Sequence, residues 1–95
     1  MGFDIEFVRE AEADLDRLKP FNRNRILDAI ESYLGHTPMQ TGRSRIKRLR
    51  SVESPGYRLR VGEFRVFYDV DEARRSVTVL RVLSKEQSLS YLGGG

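Results

Sequence analysis

The residues best equipped for chemistry gather in one stretch, Tyr57-Arg58-Leu59-Arg60-Val61-Gly62-Glu63-Phe64-Arg65-Val66-Phe67-Tyr68. Gly62-Glu63 is a two-residue Gly-X link suited to a type II′ hairpin turn, and such a turn sets the register of the strands it joins. Val61 then faces Phe64, Arg60 faces Arg65, Leu59 faces Val66, Arg58 faces Phe67 and Tyr57 faces Tyr68. Side chains alternate across a strand, so Tyr57, Leu59, Val61, Phe64, Val66 and Tyr68 share one side. Arg58, Arg60, Arg65 and Phe67 share the other. Like charges directly opposite on an antiparallel pair are unfavourable, so this second side calls for an anion. Asp69 lies on it and offers an internal salt bridge as one reading. One carboxylate cannot neutralise three guanidiniums, however, and phosphate matches the planar, bidentate donor fork of arginine.

The charge distribution points the same way. Residues 43–66 carry eight bases and two acids, residues 1–42 carry five bases and eight acids, and residues 67–95 carry four of each. The basic character therefore belongs to one stretch, as a polyanionic partner would require; a merely solubilising face is the plainer reading. The chain has no cysteine and one histidine, His36. Disulfides, thiolate metal sites, most zinc sites and the usual imidazole base are excluded, and neither a cofactor nor a metal is expected. No apolar run approaches the roughly 20 residues that span a bilayer. Met1-Gly2-Phe3-Asp4-Ile5-Glu6 has no signal-peptide pattern, so a cytoplasmic protein without membrane association is expected.

The elements that must position the arginines follow from periodicity. Phe3, Ile5 and Phe7 alternate with Asp4 and Glu6, as in a half-buried strand. Val8, Ala11, Leu15 and Leu18 then recur at spacings of three and four, predicting an amphipathic helix over 9–18 that ends at Lys19-Pro20. Ile26, Ile30, Tyr33 and Leu34 mark a second helix over 21–34, closed by Gly35 and Pro38. So short a break makes an antiparallel helix pair, whose apolar faces need a sheet to cover. Residues 35–56, with Pro38, Gly42, Pro55, Gly56 and the run Arg43, Arg45, Lys47, Arg48 and Arg50, read as an exposed loop with a short extended piece near Ile46 to Leu49. Strands over 57–61, 64–70 and 76–83 follow, the last turn lying in Asp71-Glu72-Ala73-Arg74-Arg75. The expected fold is α+β: two helices on one face of a small, mostly antiparallel four-stranded sheet, in the order β-α-α-β-β-β. A single domain over residues 1–92 and a flexible glycine tail over 93–95 complete the reading.

The hairpin motif at 57–68 resembles the central hairpin of the RelE/ParE toxin superfamily. The opening strand, the two helices, the basic loop containing Leu49, and a late strand followed by Lys85 and Tyr91 occur in that superfamily's order, so the resemblance covers nearly the whole chain. It implies the toxin of a type II toxin-antitoxin system. RelE-like members cut messenger RNA in the ribosomal A site, whereas ParE-like members poison DNA gyrase without cleaving RNA. Position by position, Arg58 and Arg60 match the basic pair on the first hairpin strand, Arg65 the arginine on the next, and Tyr91 the C-terminal tyrosine. Lys85 stands where an arginine is frequent, and Leu83-Ser84-Lys85 departs from the Gly-His-Arg-like pattern common there.

The resemblance implies a ribosome-dependent endoribonuclease. RNA supplies its own nucleophile, the 2′-hydroxyl, which attacks the adjacent phosphorus to give a 2′,3′-cyclic phosphate and a freed 5′-hydroxyl. The protein positions the reactants, stabilises charge and moves protons. Arg58, Arg60 and Arg65 would hold the phosphate oxygens but, always protonated, cannot act as a base. Tyr91 would take the proton as a phenolate favoured by nearby cations, with Glu86 the other possible base, and Lys85 would stabilise the phosphate or protonate the leaving oxygen. Outside the resemblance, Tyr91 reads simply as a packing residue. Lys47, Arg48, Arg50 and Arg81 are expected backbone contacts to messenger or ribosomal RNA. The implied partners are mRNA, the ribosome and a cognate antitoxin in a hetero-oligomer. A ParE-like gyrase inhibitor and a non-catalytic RNA-binding module are the competing readings.

Overall fold

The computed structural model describes residues 2–41, 45–50 and 52–93. Strand β1 (Asp4–Phe7) leads into helix α1 (Arg9–Asp16), and α2 (Pro20–Ala29) continues through a wider π turn (Ile30–Leu34). Then come β2 (Ile46–Arg48), β3 (Tyr57–Val61), β4 (Phe64–Asp71), β5 (Ser76–Ser84) and a C-terminal helix, α3 (Lys85–Gly93). The sheet has five strands in the order β1-β5-β4-β3-β2; β1 runs parallel to β5 and every other pair is antiparallel.

The α+β class and the predominantly antiparallel sheet are as the sequence predicts, and the hairpin register is the predicted one at all five pairs, from Val61↔Phe64 to Tyr57↔Tyr68. Gly62 takes φ 58°, which the glycine tolerates without a Cβ clash. One expectation is corrected, and one element is added. The sheet has five strands instead of four, because the short extended piece pairs with β3 as an edge strand, Ile46 opposite Leu59 and Lys47 opposite Arg58. Residues 85–93 form a helix that the sequence reading did not assign.

Periodicity explains the core. Ala11 and Leu15 of α1, with Ile26, Ile30 and Leu34 of the second helix, pack on Leu59, Val61, Val66, Tyr68, Val77, Val79 and Val82. Removing a buried leucine such as Leu59 from such a surface costs about 2 to 5 kcal/mol. Pro20 occupies the first turn of α2, where its missing N–H is harmless. Tyr68, fully buried, donates its hydroxyl to the Pro38 carbonyl at 2.6 Å, and its ring stacks on Tyr57 at 5.4 Å. A smaller cluster on the opposite face joins Leu49, Phe67 and Leu83, with Val52 against it.

Between Phe67 and Tyr68 the register with β5 shifts by one residue: Phe67 pairs with Arg81 and Tyr68 with Val79, leaving Leu80 extra. Strict alternation from Val77 and Val79 would turn residue 81 toward the helices. The bulge turns Val82 inward instead and puts Arg81 on the face of Phe67.

Gly93 is the last residue of α3, while Gly94, Gly95, Met1, Gly42, Arg43, Ser44 and Ser51 lie outside the described residues. Among the described residues, no helix is long and apolar enough to cross a membrane.

Candidate nucleic-acid interface

The hairpin register sets Arg60 directly opposite Arg65, and alternation puts Arg58 on the same face. All three are half-buried. Their proximity is felt electrostatically: burial lowers the pKa of Arg58 below its ordinary value, and the positive charges of Arg65 and then Arg60 lower it further. Arg65 turns Nη1 toward the hairpin end, donating to the carbonyls of Gly62 and Phe64, both at 2.9 Å. Lys47, Arg58, Phe67 and Arg81 form one row across four strands, so Lys47 adds a cation beside Arg58.

Asp69, the internal counterion suggested by the sequence, is engaged elsewhere. Oδ1 accepts from the backbone N–H of Gly56 and Oδ2 from the hydroxyl of Ser54, both at 2.6 Å. Its carboxylate thus anchors the chain entering β3. Among the described residues, ion pairing centres on another acid, Asp14, which meets Arg17 at 3.6 Å and Arg81 at 2.8 Å.

Asp14 is buried although it belongs to a two-turn helix. Strand β1 covers β5 only as far as Val79, where Val8 donates to the Val79 carbonyl at 3.1 Å. Beyond that point the edge is open. The Asp14 carboxylate fills it: Oδ2 accepts from the N–H of Val82 at 2.9 Å and from Nε of Arg81 at 2.8 Å, and Oδ1 accepts from Nη2 of Arg81 at 3.0 Å. This bidentate bond raises the pKa of Arg81 above its ordinary value.

Among known proteins, the profile of the ParE toxin of the type II toxin-antitoxin system parDE matches residues 5–89. The chain belongs to this toxin family, within the RelE/ParE superfamily. The toxin is 31% identical over 86 residues to RelE1 of Methanocaldococcus jannaschii, covering 90% of this chain and 93% of that protein. Its fold is that of the RelBE2 complex from Mycobacterium tuberculosis (TM-score 0.77, 24% identity, 88% of this chain and 99% of that one). The RelE-RelB complex from Pyrococcus horikoshii is similar as well (TM-score 0.69, 20% identity, 90% and 97%).

The toxin brings Tyr91 to the same face through α3. Ser84 and Gln87 cap this helix reciprocally: the Ser84 N–H donates to Oε1 of Gln87 at 3.0 Å, and the Gln87 N–H to Oγ of Ser84 at 3.1 Å. The pattern Ser84-Lys85-Glu86-Gln87 is the sequence signal by which α3 could have been found. Tyr91 then lies on Phe67, ring centres 5.0 Å apart, with the Arg81 guanidinium 5.9 Å from its centroid. Its phenol departs from the expected behaviour. Burial raises its pKa above the ordinary value, Arg81 works against that rise, and Asp69 and Asp14 reinforce it. The neutral hydroxyl is therefore favoured over the phenolate.

The other expected contacts separate. Lys47 and the exposed Arg50 present charge to solvent. Arg48 pairs with Tyr57 on the helix-facing side; its guanidinium lies 5.0 Å from the Tyr57 ring centre, and Nη1 donates to the carbonyls of Gly56 at 2.8 Å and Leu49 at 3.2 Å. Lys85 is exposed at the start of α3, and its backbone N–H donates to the Glu63 carbonyl at 2.8 Å. Among the described residues, no three His, Asp or Glu side chains gather as a metal ion would need. The sequence reading missed the role of Asp14, whose Arg81 partner is 67 residues away.

Proposed function

We propose that the toxin is an endoribonuclease that cleaves messenger RNA in the ribosomal A site. The observation that carries this reading is the close gathering of Arg58, Arg60 and Arg65 on one face, where burial, and after it the charges of Arg65 and Arg60, lower the pKa of Arg58. Such an array gains most from a bound polyanion, because each phosphate oxygen relieves like-charge repulsion as well as accepting hydrogen bonds.

In the proposed reaction the 2′-oxygen bonds to phosphorus as the bond from phosphorus to the 5′-oxygen breaks. One proton leaves the 2′-hydroxyl and another reaches the departing 5′-oxygen. Arg58, Arg60 and Arg65 stabilise the phosphorane-like charge, each such donor contributing about 2 to 4 kcal/mol in favourable geometry. Lys85 adds positive charge at the hairpin end. Tyr91, favoured neutral, suits donation to the leaving oxygen better than abstraction from the 2′-hydroxyl. Glu86, exposed in the first turn of α3, is the carboxylate suited to proton abstraction. Arg81 acts through Asp14 and Tyr91, while Lys47 and Arg50 contact RNA phosphates. A set of groups without a well-tuned base makes a weak nuclease by itself, and the ribosome supplies the bent message. A cognate antitoxin is the proposed protein partner, since the similar solved assemblies are RelB–RelE complexes.

The family profile itself names ParE, which favours gyrase poisoning as a second reading. Purified ribosomes programmed with a defined message distinguish the two. Cleavage in the A site, leaving 2′,3′-cyclic phosphate and 5′-hydroxyl ends and lost in Arg65→Ala, supports the nuclease. Gyrase-dependent DNA breaks without RNA cleavage support the other reading, and RNA binding without either product leaves a binding module.

A further inference from the structure

The tip of the β3–β4 hairpin is met by three separate elements, two of which bring a guanidinium to it. A Cβ added to Gly62 would meet Nη2 of Arg25 and lie 3.0 Å from its Cζ and 3.2 Å from its Nη1. The guanidinium of α2 thus occupies the space that a side chain at position 62 would take. From β4, Nη1 of Arg65 reaches the Gly62 carbonyl at 2.9 Å. From α3, the Lys85 N–H reaches the Glu63 carbonyl at 2.8 Å. Two guanidiniums, those of Arg25 and Arg65, therefore meet at the turn, where the backbone of Lys85 also docks, with Arg60 across the strand pair from Arg65.

We propose that this tip is a second phosphate subsite, in which Arg25 carries the arginine face around the end of the sheet and onto the helix side. The inference rests on the RNA reading and names where the backbone continues beyond Arg65. Glu63 and Glu86 are the acids at the tip, both exposed. Among the described residues, the ion pairs Asp14–Arg17 and Asp14–Arg81 include none of Arg25, Arg65 and Lys85. A phosphodiester running over the turn meets Arg25 on one side and Arg65 on the other. Glycine at position 62 is part of the subsite, since any Cβ there displaces the Arg25 guanidinium.

The test is binding of a fluorescent single-stranded RNA oligonucleotide, followed by anisotropy at about 50 to 200 mM salt, where each phosphate contact contributes about 0.7 to the logarithmic salt slope. Arg25→Ala is expected to lower the slope by about 0.7 with sequence preference unchanged. Gly62→Asn should lower it equally, because asparagine tolerates positive φ but brings a Cβ. The double variant should lose no more than either single one, since both remove the same contact. Urea unfolding of each variant separates loss of contact from loss of fold. If Arg25→Ala binds with the parent's slope, or if the two losses add in folded protein, the subsite is overturned. Arg65→Ala serves as the reference: binding that depends on Arg65 but not Arg25 removes the tip subsite alone. Absence of RNA binding by the parent, or indifference to Arg65→Ala, removes the functional reading beneath it.

Discussion

Replacing Asp14 by alanine takes away the acceptor that closes the open edge of β5 and the anion that holds Arg81. The Val82 N–H, buried and bonded at 2.9 Å, then has no acceptor. Such a loss costs about 1 to 3 kcal/mol. Breaking a buried ion pair costs about 3 to 5 kcal/mol when the survivor stays buried. Here the side chain of Arg81 is 32% exposed against 5% for Asp14, so the freed guanidinium regains water and most of that larger penalty is avoided. Together these effects give about 2 to 3 kcal/mol for Asp14→Ala, a fall of about 1 to 2 M in the urea midpoint for a domain of this size. Asp14→Asn keeps an acceptor for Val82 and should lose about half as much. A double-mutant cycle with Arg81→Ala should show a coupling of about 1 to 2 kcal/mol. A midpoint unchanged in Asp14→Ala, or an equal loss in Asp14→Asn and Asp14→Ala, would refute the edge-closing role.

Two further outcomes follow from the geometry. Tyr68 is held protonated by burial and by neighbouring Tyr57, its pKa raised above the 10.0 of the free side chain. Its stabilising contribution is complete below the unfolded pKa and is lost as pH climbs above it, at about 1.4 kcal/mol per pH unit. Urea unfolding across the alkaline range should show this slope in the parent and a flatter one in Tyr68→Phe, whereas a parent curve that stays level contradicts it. Ser84→Ala removes one arm of the reciprocal cap and should destabilise α3 by about 0.5 to 2 kcal/mol. Faster hydrogen exchange at the Gln87 amide, with the β3–β4 amides unchanged, is the expected result, and unchanged exchange at Gln87 would count against the cap.

The parts of this fold that are legible in sequence are those governed by local rules. A Gly-X turn sets strand register whatever surrounds it, so the positions of Arg58, Arg60 and Arg65 follow from Gly62-Glu63 alone. Helix periodicity likewise finds Ala11, Leu15, Ile26 and Leu34. The short extended piece near Ile46 is legible, but its joining the sheet as strand β2 is not, because three residues within a basic loop are held by pairing with β3. Helix α3 escapes because its apolar residues are poorly covered: Leu89 is 69% and Leu92 37% exposed, so no buried stripe announces it. Arg81 needs the bulge at Leu80 and a partner on α1, both products of tertiary structure. The protonation of Tyr91 is not legible in sequence, because it depends on how far α3 buries the phenol, and here burial outweighs the nearby Arg81.

In the proposed function, guanidiniums from two paired strands bind RNA phosphate on the face opposite the core helices. Arginine side-chain nitrogen resonances, followed by NMR while a single-stranded RNA oligonucleotide is added to the intact toxin, test it most directly. Large shifts at Arg58, Arg60 and Arg65, with Arg48 little changed on the other side of the sheet, are predicted. Shifts centred on Arg48, or an undisturbed trio at saturating RNA, would contradict the account.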